Sequence, residues 1–423
     1  MNYKKTKLKN GLRIITVPMK DTQTATVVAM VGVGSRYESE KEAGLSHFIE
    51  HMFFKGTEKR PTTLDISEEL DSIGGEFNAF TSKVKTGYYA KVGSKHLKTA
   101  LDVVSDMYLN SKIDADEIEK EKGTIIQELN MYEDLPMQKV GEVYEELLYE
   151  SNPLGREIIG SKKTISSFKR KDFLNYMNRF YTANDTVVCV AGKFDEKKII
   201  SRVEKYFSGM KKGKKAKAIQ VKEEQKTPAL KLRFKETDQT HLVLGLRAYD
   251  ENHKDRFALS LLSIILGGNM SSRLFVEVRE KKGLAYYIRT SGDSFEDCGY
   301  IATQAGVEHK NLKLTLETIL KEYKKIASEE VSEKELRNAK DYIKGKSVMG
   351  LESSDEVAMF FIDQEVSKKK IMLTDEIFAK IEKVTTKDVL RVARDVFQNE
   401  KLNLAVIGPH KNKSEIKKIL KIN

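Results

Sequence analysis

The chain states one structural unit twice. Lys171-Asp172-Phe173-Leu174 leads through a helical stretch to the apolar run Val188-Cys189-Val190 and then Gly192. Lys387-Asp388-Val389-Leu390 leads in the same way to Leu404-Ala405-Val406 and then Gly408, at a constant offset of 216 residues. A strand-like segment, His241 to Leu246, is followed by an amphipathic stretch from Phe257 to Leu266, which matches a strand and helix in the first half. With 423 residues, each half is long enough to bury its own core. Both halves mix antiparallel strand signals with long helical periodicities. The expectation is therefore an α+β fold of two homologous domains, each a mainly antiparallel sheet flanked by helices. Ser208 to Leu230 is rich in Lys, Gly and Gln and has no apolar period. That places a first domain at 1–210, a linker at 211–229 and a second domain at 230–423.

One motif sets the first half apart. Residues 47–51 read His47-Phe48-Ile49-Glu50-His51, in a chain with only 7 histidines. At the repeat offset His47, Glu50 and His51 fall on Ser263, Leu266 and Gly267, and the second half has no such box. Leu45, Phe48, Ile49, Met52 and Phe53 recur at helical spacing, so the box lies on a buried amphipathic helix, with Ser46 placed to cap its start. Positions i and i+4 share a helix face, so both imidazoles can point at one metal ion. Glu50 lies beside them, within reach of a water on that ion. A glutamate on a largely apolar helix is costly unless something pairs with it. The plainer alternative is one histidine that packs or caps the helix and another that faces solvent.

A zinc site needs at least three protein ligands. Cys189 and Cys298 are far apart in the chain, which points to a carboxylate. The segment Asp114 to Tyr132 reads as a helix opened by a capping arrangement of Asp114 and Glu117. Its inward stripe is Ile118, Glu121, Ile125, Glu128 and Tyr132, so two glutamates interrupt the apolar face. Such a pair demands partners: a metal and its ligands, or simply nearby Lys or Arg.

The H-x-x-E-H box, followed after 76 residues by Glu128 with Glu121 seven before it, resembles the pitrilysin/insulinase family of zinc peptidases. By length the chain is most similar to the processing-peptidase type and its bacterial relatives, and the likeness covers nearly all of it. Gly34-Ser35-Arg36-Tyr37-Glu38 before the box and Phe54-Lys55-Gly56-Thr57 after it carry the same resemblance. It implies one Zn2+ per chain held by His47, His51 and Glu128, Glu50 as general base, and Glu121 as a carboxylate that orients a ligand histidine. It further implies that Gly74-Gly75 opens an exposed edge strand to which a substrate peptide adds, with Asn78 and Ala79 as first contacts. An ordinary turn into a core strand is the alternative there. In the second half it implies that Arg279 and Tyr286 stabilise the developing oxyanion, with Arg273, Arg289 and Tyr287 as neighbouring alternatives. The expected activity is a metalloendopeptidase hydrolysing short or unfolded peptides inside a closed chamber, as a homodimer. A catalytically inactive, peptide-binding relative is the alternative.

Composition narrows the rest. The formal net charge is +11, with runs at Lys211–Lys217 and Lys368–Lys370. No basic stripe with interleaved aromatics accompanies them, so nucleic-acid binding is not expected. No apolar run approaches a membrane span of about 18 residues, and the opening residues read as a strand rather than a leader. With two cysteines and no spacing pattern, the expectation is a cytoplasmic protein without disulfides.

Overall fold

A computed structural model describes residues 2–367 and 370–422; Lys368 and Lys369 of the second basic run lie outside them. The first half runs β1 (Lys4–Lys7), β2 (Arg13–Pro18), β3 (Thr24–Val31), α1 (Leu45–Met52), α2 (Thr63–Asp71), β4 (Glu76–Thr81), β5 (Thr86–Gly93), α3 (Leu97–Asn110), α4 (Ala115–Glu133), α5 (Pro136–Leu148), α6 (Lys162–Ser167), α7 (Arg170–Phe180), β6 (Thr186–Gly192) and α8 (Ile199–Phe207). The second runs β7 (Ala229–Phe234), β8 (Thr240–Ala248), α9 (Arg256–Gly267), β9 (Ala285–Ser294), β10 (Gly299–Val307), α10 (Leu312–Ser328), α11 (Glu333–Met349), α12 (Ser354–Ser367), α13 (Thr374–Glu382), α14 (Thr386–Val396), β11 (Leu402–Gly408) and α15 (Lys413–Ile419). The lysine-rich stretch 211–228 forms neither helix nor strand.

The offset read from the sequence carries β2 onto β7, α7 onto α14 and β6 onto β11, end to end. The strand orders repeat as well: β1-β2-β6-β3-β5-β4 in one sheet and β7-β11-β8-β10-β9 in the other. In each sheet one pair is parallel (β2 with β6, and the edge strand β7 with β11) and the other neighbours are antiparallel. The fold is thus α+β with two like halves. β4 and β9 each close one edge of their sheet.

The chain folds into two compact units that are not contiguous in sequence. One comprises Met1–Asn130, Arg156–Ile219 and Ser347–Leu373; the other comprises Met131–Gly155, Gln220–Lys346 and Thr374–Asn423. These units depart from boundaries at 210 and 230 because one repeated helix of each half serves the other half's sheet. In the first unit, Val357, Ala358, Phe361 and Ile362 of α12 pack with Val28, Met30, Val187 and Cys189. In the second, Val140, Val143 and Tyr144 of α5 pack with Val243, Ala405 and Ile407. β3 is buried along almost its whole length because α12 covers one of its faces and α3 also packs on it. Burying apolar area at roughly 25 cal/mol per Å2 decides these assignments, and it acts on faces, not on chain order.

Both cysteines are free and buried. No helix among the described residues is long and apolar enough to cross a membrane.

Candidate metal centre

The helix α1 is set in place from its N-terminus. Gly44 precedes it at φ +98°, where its backbone abuts Ile159 and Gly160; a Cβ there would meet the Ile159 carbonyl at 2.5 Å. The helix start is capped from a distance: Glu38 accepts the Gly44 N–H at 2.8 Å and the Ser46 N–H at 2.7 Å. Ser46 is therefore not the cap its position in the sequence suggested; it lies inside the first turn, with its hydroxyl 2.7 Å from that of Tyr176. Burial pushes the Glu38 carboxyl up to about 7, and the Ser46 and Gly44 hydrogen bonds and the Arg156 charge offset this only in part. Leu45, Phe48, Ile49 and Met52 are fully buried, with Phe48 edge-on to Phe173. That leaves His47, Glu50 and His51 together on the opposite, half-buried face.

Helix α4 is fastened to the exit of α1. The Ser111 hydroxyl donates to the Met52 carbonyl at 3.2 Å, and the Lys112 N–H donates to the Gly56 carbonyl at 3.1 Å. Ile113 then takes φ +47°, a left-handed backbone that a β-branched residue rarely adopts. The Arg170 guanidinium holds that turn, donating to the carbonyls of Ile113 at 2.8 Å and Lys112 at 3.1 Å. Asp114 caps the helix, accepting the Asp116 N–H at 2.8 Å. Ile118, Glu121 and Ile125 of the expected inward stripe are buried, Glu128 and Tyr132 are half-buried, and Leu129, outside that stripe, is buried with them.

Two helices far apart in sequence thereby bring four groups together. His47 Nε2 lies 3.6 Å from Glu128 Oε1, and His51 Nε2 lies 3.5 Å from Glu128 Oε2. One ligand atom from each of His47, His51 and Glu128 can be chosen so that all lie within 4.8 Å of one another. Around a tetrahedral zinc with bonds of about 2.1 Å, ligand atoms would stand roughly 3.4 Å apart. The observed separations match that spacing better than they match strong hydrogen bonds of about 2.9 Å. The donor set of two imidazoles and one carboxylate suits Zn2+. His51 turns its other nitrogen, Nδ1, to Glu121 Oε1 at 2.9 Å. His47 Nδ1 is buried and has no partner among the described residues.

The electrostatics describe a site that gathers positive charge. Burial alone would lower His51, but its hydrogen bonds to Glu121 and Glu128 and their charges raise it to about 9. Burial would raise Glu128, but His47 and His51 hold its carboxyl well below the usual range. Glu121 is likewise lowered against its burial, by His51 and by Lys55, whose ammonium lies 2.5 Å from Glu121 Oε2.

Glu50 has a partner of its own: the Thr81 hydroxyl donates to its Oε2 at 2.6 Å. Thr81 ends β4, the edge strand carrying Asn78 and Ala79. Asn78 is exposed and Ala79 is half-buried, and the Ala79 N–H donates to the Asn78 side-chain oxygen at 2.8 Å. The Gly74-Gly75 turn thus leads into an edge strand, not a core strand.

Arg279 and Tyr286 belong to the second unit. Among the described residues the Arg279 guanidinium has no ion pair; it lies 4.8 Å from the Phe275 ring and 5.9 Å from that of Tyr286. Val307 pairs with Ala285 and Gly306 with Tyr287, so Tyr286 is the extra residue of a β-bulge on the edge strand β9. It is 76 % exposed. The neighbouring alternatives are engaged elsewhere: Arg273 with Glu335 at 2.7 Å, Arg289 with Gln304 at 3.1 Å, and the Tyr287 hydroxyl with His241 at 3.0 Å. Glu38 on α1 and Thr81 on Glu50 were not anticipated from the sequence; Lys55 on Glu121 is a nearby lysine of the kind the plainer reading of the glutamate pair allowed, though the sequence did not single it out. Only the likeness of the segments around the box hinted at Glu38 and Lys55.

Comparison with known proteins gives the family. The profile of the insulinase family, peptidase family M16, matches residues 13–162, and that of the peptidase M16 inactive domain matches residues 167–343. An uncharacterized zinc protease of Bacillus subtilis, YmxG, is 37 % identical over 95 % of this chain and 97 % of its own length. The chain belongs to peptidase family M16. An uncharacterized zinc protease of Rickettsia felis is 35 % identical to this M16 protein over 97 % of the chain and 98 % of the relative. The crystal structure of a protease from Helicobacter pylori shares the fold, with a TM-score of 0.90 at 24 % identity over 96 % of this chain and 99 % of that one. A Pseudomonas fluorescens structure described as a peptidase M16 inactive domain also shares it, with a TM-score of 0.87 at 18 % identity over 98 % and 99 %. The box lies within the stretch of this M16 chain that matches the insulinase profile, and the inactive-domain profile falls on later residues that lack it.

Proposed function

We propose that this M16 protein is a zinc metalloendopeptidase that hydrolyses short or unfolded peptides. The observation that carries the reading is the spacing of His47 Nε2, His51 Nε2 and Glu128, with Glu50 on the same face of α1 and gripped by the edge strand. His47, His51 and Glu128 would hold one ion per chain. Zinc in that position supplies Lewis acidity, which polarises a carbonyl and acidifies water. Glu50 takes a proton from the attacking water and returns it to the leaving amine. Thr81 holds one Glu50 oxygen and leaves the other for that proton. Glu121 keeps the His51 proton on Nδ1, so that Nε2 faces the ion.

The substrate backbone adds to β4, pairing with the edge at Asn78 and Ala79. The Asn78 side chain occupies the Ala79 N–H meanwhile, which shields an otherwise open edge. Arg279 and Tyr286 act as donors to the developing oxyanion, and a closed chamber formed by a homodimer would limit substrates to short or unfolded chains.

The test is Glu50→Gln. The variant should bind zinc as the wild type does and lose hydrolysis of a peptide library read by mass spectrometry; retained cleavage would remove Glu50 from its role. Zinc binding with no cleavage by the wild type would favour an inactive, peptide-binding member. For the dimer, sedimentation gives the mass, and mixing Glu50→Gln with Arg279→Ala subunits should restore some cleavage if the oxyanion donors act across the interface.

A further inference from the structure

Lys55 lies just past the C-terminal end of α1, and its side chain turns back to the centre. Its ammonium is 2.5 Å from Glu121 Oε2, while Glu121 Oε1 is 2.9 Å from His51 Nδ1. One carboxylate thus serves two partners, one oxygen each. Neither end is a surface group: the Glu121 side chain is 6 % exposed and that of Lys55 is 23 %. Pairs on the open surface contribute almost nothing, whereas a buried carboxylate with two fixed donors has a defined plane. The backbone around Lys55 is held without its side chain, through the Lys55 N–H to Met52 and the Lys112 N–H to Gly56, both at 3.1 Å.

We infer that Lys55 is a positioning residue of the metal centre, acting through Glu121. By fixing one carboxylate oxygen it aims the other at His51 Nδ1, and so sets the angle at which His51 Nε2 meets Glu128. The carboxylate has no second anchor among the described contacts, so without Lys55 it can rotate away from the imidazole. This inference rests on the zinc reading above. Outer partners of a ligand histidine typically change metal affinity roughly 10–100-fold.

The experiment measures zinc affinity by competition with a chromophoric chelator at one pH, on the full chain. Lys55→Met should weaken zinc binding about tenfold, and Lys55→Arg should stay within about threefold of the wild type. Glu121→Gln should weaken it at least as much as Lys55→Met, and the double variant should be no weaker than Glu121→Gln alone. Unchanged affinity in Lys55→Met, or losses that simply add in the double variant, would overturn the inference while leaving the zinc site standing. A wild-type chain that binds no zinc would overturn the zinc reading and this inference with it. Lys55→Gln carries the same test if Lys55→Met does not fold.

Discussion

The Thr81 hydroxyl donates to Glu50 Oε2 at 2.6 Å, so the strand proposed to receive the substrate also grips the proposed base. Thr81→Val keeps the shape and removes the donor. A hydrogen bond to a charged group is worth about 1.5–3 kcal/mol. The expected result is a kcat about tenfold lower, with zinc content and KM little changed. An unchanged kcat would uncouple strand and base.

Glu128 is the one carboxylate in the candidate ligand group and faces both Nε2 atoms. Ligand that binds only the folded state stabilises by about 4 kcal/mol at a thousand times its Kd. Chelation should therefore lower the melting temperature of the wild type, and added zinc should restore it. Glu128→Gln should melt at one temperature regardless of zinc. A zinc-dependent shift that survives in this variant would exclude Glu128 as a ligand.

Glu38 is buried, and its carboxyl is raised from 4.5 to about 7. The folded state thus holds a proton that the unfolded state releases near pH 4.5. Its contribution is fully present below about 4.5 and is lost as pH rises through about 7, a difference on the order of 3 kcal/mol. Glu38→Gln does not titrate. Relative to the wild type, this variant should gain stability by about that amount between pH 4.5 and 7.5, measured by urea unfolding. A constant difference across that range would show that burial does not dominate at Glu38.

Phe361 belongs to the second half of the chain but is fully buried in the first unit. Phe361→Ala should cost about 3–5 kcal/mol. Amide exchange should rise in β2, β3 and β6, and not in β7, β8 and β11. Faster exchange confined to the strands of the second unit would contradict the exchange of helices.

Much of this architecture is legible in local pattern. The offset carries β2, α7 and β6 onto β7, α14 and β11, because a repeated sequence repeats its hydrophobic periods. The α1 box and the inward stripe of α4 are readable for the same reason, and Asp114 caps α4 where an aspartate before a helix should. The cap of α1 was not legible: Ser46 had the right residue type, but Glu38, eight positions earlier, reaches the N–H groups through a fold of the chain. The placement of α5 and α12 in the compact units was not legible either, since an apolar face does not state which sheet it will cover.

By itself the sequence determined the repeat and its offset, several of the helices and strands, and a helix that sets His47, Glu50 and His51 on one face. These are properties of single segments, governed by backbone periodicity and local hydrogen bonding. The tertiary structure alone decided that His51 meets Glu121 across 70 residues, that Thr81 meets Glu50 across 31, and that α5 and α12 trade sheets. Those contacts come from burying whole faces against one another, and that free energy depends on how faces fit in space, which no local pattern records.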